Sequence, residues 1–142
     1  MSQKYLDIAK QELGVHETPG PAATARIIEY GKHTTLKPTS DEIPWCSDFA
    51  NFVVDTAGDK GTHSAAARSW LDWGKVLSSP EIGCIVVIDR KDALNPNAAH
   101  VTFFVSQDAA TGNITCLGGN QSDCVKCSVY PANKVIGYRD VA

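Results

Sequence analysis

The sequence predicts an α+β fold in which N-terminal helices pack on a C-terminal antiparallel β-sheet. Two observations support this class. Before Gly74, apolar residues recur with helical spacing, whereas after Pro80 short runs of β-branched and aromatic residues alternate with turn residues. Helical and extended segments are therefore grouped along the chain, which is typical of α+β rather than α/β proteins.

The composition predicts one domain over residues 1–142, because this length is enough for a buried core and no linker or repeat interrupts it. The net charge is −3 and the Lys and Arg residues are scattered, which argues against a nucleic-acid partner. No apolar run reaches the ~18 residues of a membrane span, so no membrane partner is expected. The first residues lack the apolar segment of a signal peptide, so we expect synthesis in the cytoplasm, and we expect a monomer.

Periodicity and turn residues place the individual elements. The predicted helices cover residues 5–13, 23–30, 46–57 and 64–74, the last with Ser64 as N-cap. The predicted strands cover residues 84–88, 101–105, 114–117, 127–130 and 135–138. Gly118 and Gly119 are expected to end the third strand, and the polar segment 32–44 is expected to be irregular.

Residues 43–54, IPWCSDFANFVV, contain the most informative side chain, the thiol of Cys46. Phe49, Phe52 and Val53 share one helical face, so Cys46 is expected in or beside the first turn of a largely buried helix. The unpaired N–H groups and partial positive charge there favour the thiolate, which is the nucleophilic form. The alternative is a structural cysteine, since free cysteines are commonly small core residues.

A cysteine nucleophile needs a base, and the base needs a group that orients it. Among the four histidines, His16, His33 and His63 lie in predicted loops, whereas His100 opens a predicted strand and is the expected base. A strand-end histidine bonded only to backbone is the alternative reading of that residue.

The next strand runs into GGNQ at 118–121, and an antiparallel hairpin would bring Asn120 or Gln121 towards His100. Adjacent residues of an extended segment point to opposite faces, so only one of these amides can meet the ring. We expect Asn120 to face His100 and Gln121 to face away.

The order Cys, His, Asn, with the cysteine on a helix and the other two on strands, is the papain-like arrangement. Nearly the whole chain resembles the CHAP family (cysteine- and histidine-dependent amidohydrolases/peptidases) of the NlpC-like superfamily, and it is similar to small phage or prophage endolysins. The motifs that carry the resemblance are ELGV at 12–15, PG at 19–20, IPWCSDF at 43–49, AAARSWL at 65–71, Gly83, HVTFFV at 100–105 and LGGNQSD at 117–123. Two positions depart from the family pattern: Cys84 stands where many relatives have an acidic residue, and Gly118 where several have an orienting Glu.

The resemblance implies a papain-like CHAP fold with Cys46 as nucleophile, His100 as base and Asn120 as the third polar group. It implies hydrolysis of an amide in bacterial peptidoglycan, by an endopeptidase or an N-acetylmuramoyl-L-alanine amidase, after release to the wall or periplasm by a holin or a secretion system. Trp45 and Gln121 are candidate substrate contacts, and no cofactor is expected.

Two alternative functions stay open at this point. One is another NlpC-type chemistry, acyl transfer or deamidation of a protein. The other is a catalytically silent module that binds the wall or a partner, in which Cys46 is a core residue.

The cysteines and acidic residues predict no metal site. Cys124 and Cys127 have the inner spacing of a zinc knuckle and Cys116 is a conceivable third ligand, but a second pair at suitable distance is missing. Some CHAP relatives bind calcium just before the nucleophile, which makes Asp41 and Asp48 calcium candidates, but no Asp-x-Asp loop is present. Five cysteines without a signal peptide also argue against a disulfide framework.

Overall fold

A computed structural model describes residues 3–15, 25–33, 45–64, 66–90, 99–121 and 124–141, without the side chains of Ala25 and Asn120. Three α-helices are present in this part of the chain: α1 at Gln3–Lys10, α2 at Ala25–Gly31 and α3 at Cys46–Thr56. A 3₁₀ helix follows at Ala67–Asp72. The strands are β1 at Lys75–Leu77, β2 at Ile85–Asp89, β3 at Ala99–Gln107, β4 at Ile114–Gln121, β5 at Cys124–Tyr130 and β6 at Val135–Asp140.

The strands form a six-stranded sheet in the order β1-β6-β2-β3-β4-β5, and every neighbouring pair is antiparallel. Strands β2 to β5 form the predicted meander. The chain then crosses back through a short 3₁₀ helix, Ala132–Lys134, so that β6 lies between β1 and β2. Helices followed by an antiparallel sheet confirm the predicted α+β class.

The sheet separates two apolar clusters. Val101 and Phe103 of β3 pack with Phe49 of α3 in the larger cluster, on what we call the helix face of the sheet. The smaller cluster lies on the opposite face, which we call the far face. It consists of Cys84, Val86, Ile88, Phe104, Ile114 and Cys116. Because successive strand residues point to opposite faces, Phe103 lies on the helix face and Phe104 on the far face.

Helix α3 is buried on all sides over residues 46–54, and its polar side chains bond to neighbouring segments. The Ser47 hydroxyl donates to the Ser64 carbonyl at 2.6 Å and accepts from the Trp70 indole N–H at 3.0 Å. The Asn51 amide donates to the Ser47 carbonyl at 3.0 Å and accepts from the His63 backbone N–H at 2.8 Å. These bonds hold the loop before the 3₁₀ helix against α3.

A charged cluster joins the segment after α1 to α2. The Arg26 guanidinium donates to both Glu12 carboxylate oxygens, at 2.6 and 2.9 Å, and the Tyr30 hydroxyl donates to Glu12 at 2.7 Å. The hydrogen bonds from Arg26, more than those from Tyr30, lower the pKa of Glu12 although burial opposes this shift.

Two predicted elements differ from the structure and one observed strand was not predicted. The predicted helix 64–74 is only the 3₁₀ helix Ala67–Asp72, and the Ser64 hydroxyl accepts from the Ala66 N–H at 3.1 Å in a local turn. Strand β1 was not predicted, because a three-residue edge strand with mostly exposed side chains leaves little pattern. Strand β4 continues through Gly118 and Gly119 to Gln121, so the prediction that it ends at these glycines is wrong.

Candidate functional site

Cys46 is the first residue of α3, which confirms that it lies in the first turn, and only 8% of its surface is exposed. Burial raises the pKa of its thiol, and this effect outweighs the hydrogen bonds from the backbone of Val101 and Ser47 and the charge of Arg90, which lower it. The prediction of a lowered thiol pKa at the helix start is therefore wrong for this conformation. Burial raises the pKa of the thiol by more than the hydrogen bonds to the sulfur lower it.

The sulfur of Cys46 lies between the start of α3 and the start of β3, an inner strand of the sheet. The thiol bonds to the backbone of Val101. Val101 precedes Phe103, the first residue of β3 that pairs with β4, opposite Leu117. No register pair joins Val101 to β4, but the end of β4 is close by, since the Gln121 side chain accepts from Thr102 at 2.8 Å and lies 3.1 Å from His100.

His100 is the second residue of β3 and pairs with Ile88 of the far-face cluster. Its ring centroid lies 5.8 Å from that of Tyr130, and 2% of the residue is exposed. Burial, followed by the charge of Arg90, lowers the pKa of His100 to about 4, although the hydrogen bond to Gln121 raises it. The ring is consequently neutral at pH 7 and can accept a proton.

The Gln121 side chain fixes which ring nitrogen of His100 carries the proton. The Gln121 Nε2 group donates to the Cys116 carbonyl at 3.2 Å and to the Lys126 carbonyl at 2.7 Å, which fixes the orientation of the amide. Its Oε1 accepts from the Thr102 hydroxyl at 2.8 Å and lies 3.1 Å from His100 Nε2. An amide oxygen can only accept, so His100 Nε2 carries hydrogen and Nδ1 carries the lone pair.

The amide that meets the ring is therefore that of Gln121, and the prediction that Gln121 faces away from His100 is wrong. The physical reason is a β-bulge: the register between β4 and β5 shifts between Gly118 and Gln121. Regular alternation would turn Gln121 to the helix face, and the extra residue returns it to the far face. The Asn120 side chain lies outside the described part of the structure, so its catalytic role stays a prediction.

Gly118 and Gly119 are required by close packing on both faces of β4. A Cβ on Gly118 would lie 2.5 Å from the Thr102 hydroxyl oxygen. A Cβ on Gly119 would lie 2.6 Å from the Trp45 ring and from Phe49 Cβ. The glycines thus let α3 pack directly on the strand that carries Gln121.

The structure brings Cys46 and His100 to the same end of β3 but not into contact. The sulfur bonds to the backbone of Val101, the residue after His100, whereas the imidazole lies on the far face. No hydrogen bond joins the thiol to the imidazole among the described residues. Contact between them requires a local rearrangement.

The proposed substrate contacts are both buried. Trp45 has no exposed surface and its ring lies 5.9 Å from that of Tyr30, so it contributes to the core. Gln121 is 2% exposed. The surrounding core covers both side chains in this conformation, so their contact with substrate stays a prediction.

The structure offers no support for the calcium candidates. Asp48 is buried in the first turn of α3, and Asp41 lies outside the described residues. Within the described ranges no group of three or more His, Cys, Asp or Glu side chains could hold a metal ion.

Two of the remaining histidines contact one carboxylate near the C-terminal end of α3. His33 Nδ1 lies 2.8 Å from Asp55, and His63 Nε2 lies 3.1 Å from the same side chain. These contacts link α2 and the loop after α3 to the helix. They lie two to three helical turns from Cys46, and His16 is outside the described residues.

The structure adds Arg90 as a residue near both candidate catalytic groups, one that the sequence analysis missed. A single Arg after a strand has no sequence signature, and only the pairing of β2 with β3 places it beside His100.

No helix in the described part of the chain is long and apolar enough to cross a membrane.

No family model, curated protein or solved structure matches this chain. The resemblance to the CHAP family therefore rests on the sequence motifs alone.

Proposed function

We propose that the chain is a papain-like cysteine amidohydrolase of the CHAP type, which hydrolyses an amide bond in the peptide part of bacterial peptidoglycan. The observation that carries the proposal is the arrangement at the start of β3. A thiol at a helix start lies beside Val101, and the neighbouring residue is a neutral histidine whose tautomer is set by a buried amide.

In the proposed reaction, His100 Nδ1 takes the proton of the Cys46 thiol, and the thiolate attacks the amide carbonyl. The imidazolium then gives this proton to the leaving amine as the C–N bond breaks, which leaves a thioester. Water, deprotonated by His100, hydrolyses the thioester and restores the thiol. The Cys46 backbone N–H at the start of α3, with a neighbouring donor, would stabilise the oxyanion.

The reaction requires contact between the imidazole and the sulfur. The thiol bonds to the backbone of Val101, the residue next to His100, and we propose that a local rearrangement at the start of β3 brings the two groups together. Such a contact would place a proton acceptor beside the thiol. Because burial raises the pKa of this thiol, its proton would be removed by the acceptor during the attack.

The proposed function predicts that the protein cuts one type of amide bond in purified peptidoglycan. Mass spectrometry of the released fragments should show one new amine and one new carboxyl terminus, at a stem-peptide, cross-link or muramoyl amide bond. A folded Cys46→Ala protein is the matched control and should release nothing. Fragments formed equally by both proteins, or by neither, would contradict the proposal.

A second candidate is a module that binds the wall or a partner without catalysis. The raised pKa of Cys46 and the absence of a thiol–imidazole hydrogen bond favour it. The rate of alkylation by iodoacetamide separates the candidates, because a purely structural buried thiol reacts slowly at all pH values near neutrality. Rapid alkylation of Cys46 without wall fragments would instead favour acyl transfer or deamidation of a protein.

Gln121→Met is expected to lower kcat roughly tenfold with little change in KM, because the side chain keeps its volume but no longer sets the His100 tautomer. The unfolding temperature should also fall, since two backbone carbonyls lose their donor. Steady-state kinetics at saturating substrate measure the first effect.

The companion variants at Asn120 decide which amide orients the ring. Asn120→Ala is expected to lower turnover substantially and leave measurable activity, and Asn120→Asp to be partly tolerated. Normal kcat in a folded Gln121→Met protein, together with loss in Asn120→Ala, would assign the orienting role to Asn120 and contradict the tautomer argument.

A further inference from the structure

Arg90 lies at the rim of the candidate site and has no part in the proposed proton transfers. It directly follows β2, whose last residue, Asp89, pairs with the residue before His100, and its side chain is exposed. The guanidinium carbon lies 5.9 Å from the centroid of the Tyr130 ring. The same ring lies 5.8 Å from that of His100, so Tyr130 contacts both the cation and the proposed base.

The charge of Arg90 reaches both reacting groups from this one position. It lowers the pKa of the Cys46 thiol and also that of the His100 imidazole. Together with the contact to Tyr130, these effects place the guanidinium near the end of β3 that carries both His100 and Val101, the residue whose backbone bonds to the thiol.

The charge of Arg90 is not neutralised by an ion pair within the described part of the structure. The neighbouring carboxylate, Asp89, is paired with Arg68 at 3.7 Å. An exposed guanidinium held over a tyrosine ring presents several N–H donors in one plane, and this fork matches the two oxygens of a carboxylate.

We propose that Arg90, supported by Tyr130, binds a free carboxylate of the substrate next to the amide bond that is cut. The proposal rests on the proposed function and narrows its substrate class. Peptidoglycan peptides contain γ-linked acidic residues and diamino acids, so carboxylates that take no part in the peptide linkages stand beside several of their amide bonds. The preferred substrate is then a peptide with such a carboxylate left unmodified.

The test compares two stem peptides of one sequence, one with free side carboxylates and one with these groups amidated. Wild-type protein should cleave the free acid with a kcat/KM about tenfold to a hundredfold higher. Arg90→Gln should bring this ratio close to one. Any change in kcat/KM common to both peptides leaves the ratio unaltered, and the additional loss should occur only with the free acid. Arg90→Lys, which keeps the charge but not the fork, should give an intermediate ratio.

The ratio separates recognition from the effect of Arg90 on the reacting groups. Loss of the charge raises the thiol pKa and changes the rate on both peptides by the same factor, whereas loss of a carboxylate contact affects the free acid alone. Lys75→Gln, on the exposed edge strand β1, is the control and should keep the wild-type ratio. Circular dichroism confirms that each variant is folded.

The outcomes distinguish this proposal from the proposed function. Cleavage of both peptides at equal rates by wild-type protein, or an unchanged ratio in folded Arg90→Gln, would overturn the carboxylate site while leaving the hydrolase in place. Cleavage of neither peptide would contradict the hydrolase. Calorimetric titration with the same two peptides then decides the site: tighter binding of the free acid that is lost in Arg90→Gln supports it, and equal binding overturns it.

Discussion

Cys46→Ala is expected to abolish peptidoglycan hydrolysis, with a loss of at least about 10³-fold in kcat, because the proposed reaction has no other nucleophile. The fold should survive, since the substitution removes one sulfur atom at a position where 8% of the residue is exposed. The change in unfolding free energy should be about 1 kcal/mol or less. Release of fragments from purified peptidoglycan measures the activity, and chemical denaturation measures the stability.

The other cysteines provide the controls. Cys127 is exposed, so Cys127→Ala should leave both stability and activity unchanged. Cys84→Ala, Cys116→Ala and Cys124→Ala should retain activity if folded, although Cys84 and Cys116 are fully buried and their removal leaves cavities. Hydrolysis by a folded Cys46→Ala protein would refute the thiol mechanism.

His100→Ala is expected to lose activity to a similar degree, because a nucleophile and its base act as one unit. The thiol pKa is raised, so few thiolates form unless a base removes the proton during attack. In the wild-type protein the pKa of His100 is about 4, well below the usual 6.5, so the ring stays neutral into mildly acidic solution. The acid limb of the profile of kcat/KM against pH should therefore lie near pH 4 rather than near 6.5.

His33→Ala and His63→Ala are the matched histidine controls. Both side chains contact Asp55, so these substitutions should lower the unfolding temperature and leave the turnover of the folded protein unchanged. His16→Ala should likewise keep turnover. An inactive but folded His63→Ala protein beside an active His100→Ala protein would show that the pairing of Cys46 with His100 is wrong.

The sequence predicted best where one strong pattern decides the structure. The apolar spacing of Phe49, Phe52 and Val53 and the preceding proline predicted α3 and placed Cys46 in or beside its first turn. Cys46 is the first residue of the helix. The runs of β-branched residues predicted the cores of β2 and β3. These features depend on local periodicity, which a sequence shows directly.

The sequence predicted poorly where tertiary contacts decide. Gln121 faces His100 because of a bulge, and a bulge changes the face of a residue without changing the residue itself. Gly118 and Gly119 suggested a turn, but their purpose is close packing on Thr102 and Trp45. The thiol pKa depends on how much protein covers Cys46, and the side-chain direction of His100 depends on strand alternation relative to the helices. Neither is visible in the spacing of residues.

The packing of Trp45 on Gly119 has a consequence for when the candidate site forms during synthesis and folding. Each contact that defines the candidate site joins residues far apart in the sequence: Cys46 with Val101, Trp45 with Gly119 and His100 with Gln121. Contacts of this kind form late, because the intervening loop must close before they contribute. During synthesis, a nascent chain that has emerged only as far as α3 carries the thiol without its partners. The site is thus completed only when β4 has joined the sheet, and truncation before Gln121 would leave a cysteine with no assembled site around it.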